Sequence, residues 1–277
     1  MCSNREQVYD YSSFAHIVAG LFLSPETLVV IIKPDALSLY CDASGNERES
    51  LTVVGGVMAY ARDWLEFIPR WNRALASEGI EYFRASEFAH SRGQFKKGWK
   101  DNPPRRDAFS RLLLETMAPT VKWWSGITVL QSEYAKADRI YKLHENFQPF
   151  ALAGETTIEN AMMWQQANHL DYLQLKYFFE SGDAHWGQMS DRIKERFGSP
   201  PIPADKNDPP TQAADFVAYE VRQAYTALEI KSGEIFEKFR MSFVLLGQTP
   251  GRWGDLKDQD IRAELNVRKI PKRGKRE

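Results

Sequence analysis

The chain has 277 residues, 43% of them hydrophobic and 13% aromatic, enough apolar material for a well-buried core, and this excludes an extended disordered chain. Its 36 basic and 37 acidic residues leave a formal charge of -1, so nothing pulls it generally toward DNA, RNA or anionic lipid, and a nucleic-acid contact has to be local. Two cysteines, Cys2 and Cys41, are too few for a disulfide framework or a thiolate metal cluster, and a reducing cytoplasm is the expected compartment.

The first apolar stretch, "FAHIVAGLFLSPETLVVIIK" at 14–33, is broken by His16, Pro25, Glu26 and Lys33. Its uninterrupted runs are too short to cross a bilayer, so residues 1–35 read as an N-terminal extension rather than a membrane anchor. Residues 37–42 alternate as a strand, 43–50 form a polar turn, and "LTVVGGVMA" from 51 is a second strand, which predicts an antiparallel hairpin. "ARDWLEFIPRWNRALASEG" has helical spacing, with Trp64, Phe67, Ile68, Trp71 and Leu75 on one side, Gly79 as the stop, and Pro69 predicting a kink or split.

After a short apolar piece, "IEYF", and a polar loop, Pro103 and Pro104 open a helix carried by "DAFSRLLLETMA". "VKWWSGITVL" at 121–130 reads as a strand, Phe147 to Asn168 as a long helix, and "YLQLKYFFE" at 172–180 as the next strand. A helix near 187–197 and the Pro-rich "GSPPIPADKNDPP" lead to a last strong helix, "TQAADFVAYEVRQAYTAL", with Thr211 as its expected cap. "FRMSFVLLG" is one further element in the C-terminal stretch.

Three acids stand out. Asp42 ends the first strand in "YCDASG", where a short carboxylate either initiates a turn or serves a ligand site at a strand end. Glu180 ends "LQLKYFFESGD" in the same manner, with Asp183 three residues on; the bland alternative is a solvated strand end. Asp215 lies within "TQAADFVAYEV", among Ala213, Ala214, Val217 and Ala218. Aspartate is a poor helix-interior residue, and an unpaired carboxylate near a core is costly unless a cation answers it. The competing reading is a wet stripe of Gln212, Asp215 and Tyr219.

Together "YCDASG", "FFESGD" and "QAADFVAY" resemble the mainly prokaryotic family catalogued as domain of unknown function 3800, over roughly residues 36–228. The "QxADxxAY" helix is the most specific part of that resemblance. It implies a ribonuclease H-like α/β fold, a mixed five-stranded sheet flanked by helices with helical insertions, spanning 36–228, with 229–277 as a C-terminal extension ending in a basic tail. It also implies a metal-dependent nuclease in which Asp42, Glu180 and Asp215 ligate Mg²⁺ or Mn²⁺. In that scheme Asp42 bridges two ions, while Glu180 and Asp215 hold one each. Two departures are visible: Ala43 stands where members often carry an acid, and Glu180 where they more often carry aspartate. The resemblance further implies an acid on the helix before the fourth strand, for which Glu155 and Glu159 are candidates, Glu155 preferred; Asp183 joins the candidate catalytic set.

Clustered carboxylates repel, and hard divalent cations relieve that repulsion while bridging to phosphate oxygens. For nucleic acid as the partner, the loop "RGQFKKGWKDNPPRR" offers Arg92, Lys96, Lys97, Lys100, Arg105 and Arg106 against a single acid, with Phe95 and Trp99 available for stacking. The tail at 267–277 has six basic residues against Glu277 and is either a second contact or merely solvated. The five histidines lack zinc-ligand spacing, and no GxGxxG, GxxxxGK[ST] or GxSxG motif occurs. The alternatives are a nuclease-like binding or effector module without catalysis, and a glycosidase using paired carboxylates.

Overall fold

The structure is a computed structural model; it describes residues 36–45, 50–182, 186–230 and 240–267. The expected N-terminal extension, the basic tail from 268, and Asp183 with His185 lie outside the described residues. Among the described residues no helix is long and apolar enough to cross a membrane.

A mixed sheet forms the centre. Strands β1 (Leu37–Ser44), β2 (Leu51–Tyr60) and β3 (Trp123–Leu130) run as an antiparallel meander. Strands β4 (Leu175–Glu180) and β5 (Ile202–Ala204) join parallel to one another on the β1 side, with β4 parallel to β1, and β6 (Gly251–Leu256) joins parallel to β3. The order is β5-β4-β1-β2-β3-β6. Against the expected five strands there is a sixth, and it comes from the segment assigned to a C-terminal extension. Residues 240–267 also supply Phe243, Leu246, Ile261 and Leu265 to the cores on the two faces. Both end strands are short and neither stands out by periodicity: β6 mixes polar and apolar residues, and β5 hides within the proline-rich stretch.

Period-two alternation sorts the side chains between two layers. Tyr40, Val53, Val57 and Phe178 face α1 (Ala61–Ser77), α3 (Pro103–Met117) and α8 (Pro209–Ile230). Leu37, Leu39, Cys41, Val54, Tyr177 and Phe179 face α4 (Gln131–Tyr141), α6 (Pro149–Ala167), α7 (Trp186–Phe197) and α10 (Asp258–Val267). The short helices α2 (Ala85–His90), α5 (Leu143–Asn146) and α9 (Met241–Leu246) fill the remaining connections.

Helix α1 buries the face predicted for it, Trp64, Phe67, Ile68, Trp71 and Leu75, but it neither kinks sharply enough to end nor splits at Pro69. Pro69 lies on the exposed side, where the carbonyl it cannot pair with can turn to water, and the aromatic face holds both halves against the sheet. Helix α8 starts at Pro209, so Thr211 sits inside its first turn rather than at the cap.

Candidate active site

Sheet parity and strand register bring the first two acids together. Tyr40 pairs with Phe178 across β1 and β4, and their rings stack at 4.5 Å between centroids. The next positions on that face are Asp42 and Glu180, one step beyond the last paired residues, Cys41 and Phe179. Both carboxylates therefore emerge at the C-terminal ends of parallel strands, on the side covered by α8.

The third acid arrives by a close helix approach. Gly55 is the β2 residue opposite Asp42. A Cβ there would lie 2.4 Å from the Ala214 carbonyl oxygen and 2.5 Å from the Ala218 nitrogen, so only glycine lets α8 lie this near the sheet. The alanines of "QAADFVA" are the matching half of that contact. Asp215, next to Ala214, is delivered beside Asp42.

Asp42, Glu180 and Asp215 line one cavity of about 680 Å³, together with Ser44, Arg84, His90, Lys206 and Arg222. Asp42 is 8% and Asp215 9% exposed. Burial first, then the charges of Asp215 and Glu180, push the Asp42 carboxyl well above the usual carboxylate range. A hydrogen bond between the Asp42 and Glu180 carboxyls contributes in the same direction, and the Ala43 N–H, donating to Oδ1 at 2.8 Å, partly offsets the shift. Burial likewise raises Asp215 to about 7, against the Ala85 N–H that donates to its Oδ2 at 2.8 Å and the Arg84 charge. Neighbouring buried carboxylates repel one another, and a proton or a cation relieves that repulsion.

Among the described residues no group of three or more His, Cys, Asp or Glu side chains is already arranged as a metal shell. The donor set nevertheless has the chemistry a hard divalent cation takes: three carboxylates line one cavity, and burial raises Asp42 and Asp215 above the usual carboxylate range.

Gln212, read from sequence as part of a wet stripe, is 2% exposed and clamps the site. Its Oε1 accepts from Phe83 N at 2.6 Å and Trp71 Nε1 at 3.1 Å, while Nε2 donates to the Asn207 carbonyl at 2.7 Å. One turn later Asp215 takes Ala85 N, so α8 grips residues 83–85 twice and sets Arg84 between the grips. Arg84 in turn donates to the Lys206 carbonyl and, at 2.9 Å, to Asn207 Oδ1. An amide three residues before Asp215 on an alanine-rich face was the signal for this role. Gln212→Leu, close in size, leaves the Phe83 and Trp71 donors unpaired and is expected to cost about 2–4 kcal/mol. Trp71→Phe, losing one bond, is expected to cost less; urea unfolding of both variants measures the difference.

Other expected site residues go elsewhere. Glu155 is 1% exposed on α6, on the opposite face of the sheet, where it pairs with Arg192 at 2.8 Å and Arg196 at 2.9 Å. Glu159 meets the same Arg196. Their i, i+4 face is an interhelical ion cluster with α7, not part of the acid site. Trp99 is 1% exposed, packed edge-on against Phe88, Phe95 and Phe109, with the Arg105 guanidinium 4.1 Å over its ring. It therefore offers no face to a base, and neither does the fully buried Phe95. Arg105 is paired with Glu78 at 2.9 Å, and Arg106 lies 4.1 Å over Phe88. Arg92, Lys96, Lys97 and Lys100 remain exposed, following His90 of the cavity wall.

Fold and cavity together define the class: a mixed α/β protein with a cavity that gathers three carboxylates and three cationic side chains at the C-terminal ends of two parallel strands, roofed by one helix. No family model matches the sequence, and no curated protein matches it. Among solved structures, one described as "Structure of the PCNA:RNase HII complex from Archaeoglobus fulgidus" is similar at a TM-score of 0.40 and 13% identity, over 76% of this chain and 87% of that one. The class stated here rests on the strand order and the cavity alone.

Proposed function

We propose that the protein is a nuclease with a ribonuclease H-like core that hydrolyses phosphodiester bonds of DNA or RNA with Mg²⁺ or Mn²⁺, as its resemblance to the domain of unknown function 3800 family implies. The single observation that carries this reading is the meeting of Asp42, Glu180 and Asp215 in one cavity whose walls also carry Arg84, Lys206 and Arg222. A ligand that answers both kinds of wall is a phosphate accompanied by divalent cations.

In this reading Asp42 would be the shared ligand, and Glu180 and Asp215 would be the others that hold the cations. A cation bound there lowers the pKa of a water and offsets charge on the leaving oxygen. The remaining steps belong to the chain itself. Ala85 N–H fixes which Asp215 oxygen is free, Gln212 holds Phe83 two residues before it, and the Arg84 guanidinium, braced by residues 206 and 207, offsets negative charge at that end. The exposed Arg92, Lys96, Lys97 and Lys100 extend the cationic surface beyond His90 for a longer strand.

The test is cleavage of labelled single- and double-stranded DNA and RNA by purified protein with Mg²⁺, Mn²⁺ or EDTA. Cutting of at least one substrate is expected with metal, and Asp42→Asn and Asp215→Asn are each expected to lower its rate about 100-fold or more. Binding without cutting of any substrate, unchanged in both variants, replaces the nuclease by a non-catalytic nucleic-acid-binding module.

A further inference from the structure

The face of α8 that carries Asp215 does not end there. Tyr219, Arg222, Gln223 and Thr226 line the same cavity, and their spacing from Asp215 keeps them on one side of the helix. Arg222 lies seven residues past Asp215, about 10 Å along the axis, and Thr226 about 16 Å.

A second route gives the same distance. Gly45, the residue after β1, is three steps past Asp42, also about 10 Å at the rise of a strand. Gly45 has φ +102°, and a Cβ on it would lie 2.5 Å from the Leu51 carbonyl oxygen and 2.9 Å from Arg222 Nη1. Gly45 therefore lies close to the guanidinium, and its backbone angle and the nearby Leu51 carbonyl both call for glycine there. Arg222 is only partly exposed, and burial lowers its pKa from the usual arginine value.

The cations of the cavity fall into two groups with the acids between them. Arg84 and Lys206 stand on the side of the loop that precedes α8, and Arg84 acts on Asp215. Arg222 stands on the other side, against the hairpin, followed by the neutral hydrogen-bonding side chains Gln223 and Thr226. Among the described residues of this wall no aromatic face is open for stacking: Tyr219 is 5% exposed and its hydroxyl accepts from Arg240 at 2.9 Å.

We propose that Arg222, Gln223 and Thr226 form a track for the sugar-phosphate backbone of a nucleic-acid strand leaving the acidic centre, with the Arg222 guanidinium holding one phosphate. The proposal rests on the nuclease reading and deepens it. At the 3.4 Å rise of a stacked strand, that phosphate lies about three steps from the bond that is cut. Arginine suits the task because its planar fork meets two phosphate oxygens at once. With backbone contacts and no stacking platform, the track positions a strand without reading its sequence.

The experiment is fluorescence anisotropy of labelled single-stranded DNA and RNA oligonucleotides with the full chain carrying Asp42→Asn, from about 50 to 200 mM salt. In that background Arg222→Gln is expected to weaken binding about tenfold, equally for different base sequences, and to reduce the slope of log K against log salt by about 0.7. Arg222→Lys restores most of the slope but less of the affinity. Calorimetric Mn²⁺ titration of the chain with Arg222→Gln alone is expected to match the unsubstituted protein.

An unchanged salt slope in a variant that melts normally overturns the track while leaving the nuclease reading standing. A loss of Mn²⁺ affinity alongside nucleic-acid binding also overturns it, because Arg222 then serves the acids. If the parent binds no oligonucleotide at all, the nuclease reading falls, and the track with it.

Discussion

Asp215→Asn is expected to raise the melting temperature of the metal-free protein at pH 8. Asp215 is raised from its ordinary value near 4 to about 7 when folded, so its favourable contribution is fully present below about pH 4 and is lost as pH climbs through 7. A shift of that size corresponds to at most about 4 kcal/mol, or roughly 8–15 °C for a chain of this size. Asparagine keeps an acceptor for Ala85 N–H and removes the charge. Asp42→Asn shifts stability in the same direction, because burial and two neighbouring carboxylates raise Asp42 as well.

Scanning calorimetry in EDTA from pH 4 to pH 8 checks this directly. The unsubstituted protein should lose stability across that interval and regain it with Mn²⁺, whereas the variants should be flatter in pH and respond less to Mn²⁺. A variant less stable than the parent at pH 8 contradicts the picture of a cluster held at a cost for its ligand.

Gly55→Val is expected to abolish the site from a position that touches no ligand. The added side chain runs into the backbone of α8 at Ala214 and Ala218 rather than into a flexible side chain. The helix has to lift off the sheet, carrying Asp215 away from Asp42. Overpacking of this kind costs about 1–3 kcal/mol, and more where backbone is struck. Loss of Mn²⁺ binding should exceed what the fall in stability explains. Gly254→Ala serves as the control: nothing lies within 4 Å of its added Cβ, and both properties should stay at the parent's level. Normal Mn²⁺ affinity in folded Gly55→Val would mean that the acids do not depend on this contact.

The parts of the fold that were legible were those where local periodicity and burial agree. The strand bearing "LSLYCD" alternates cleanly, so Asp42 could be placed at its end and on the face of Tyr40; "KYFFE" does the same for Glu180 beside Phe178. The aromatic face of α1 was equally plain. Asp215 stood out because a helix of alanines has no reason to carry an acid unless something answers it.

Glu155 and Trp99 show where such reading stops. Glu155 belongs to a strong helix with a second acid one turn on, as a ligand pair might; nothing local tells that α6 packs on the far side of the sheet and turns this face to Arg192 and Arg196. Trp99 sits among lysines in a loop that reads as exposed, yet the loop folds over Phe88 and Phe109 and seals the ring. Strands β5 and β6 are similarly silent, since a three-residue edge and a polar edge carry little periodic signal of their own.

The sequence by itself determined that two strands end in acids and that a third acid sits on an alanine-rich helix, because strands and helices show their periods of two and of 3.6 residues locally. Only the tertiary structure decided which helix covers which face, how closely α8 approaches through Gly55, and which charged groups are spent on one another. Those outcomes depend on contacts between residues distant in the chain, and whether a charge is paired or left facing a cavity is settled by what packs opposite it.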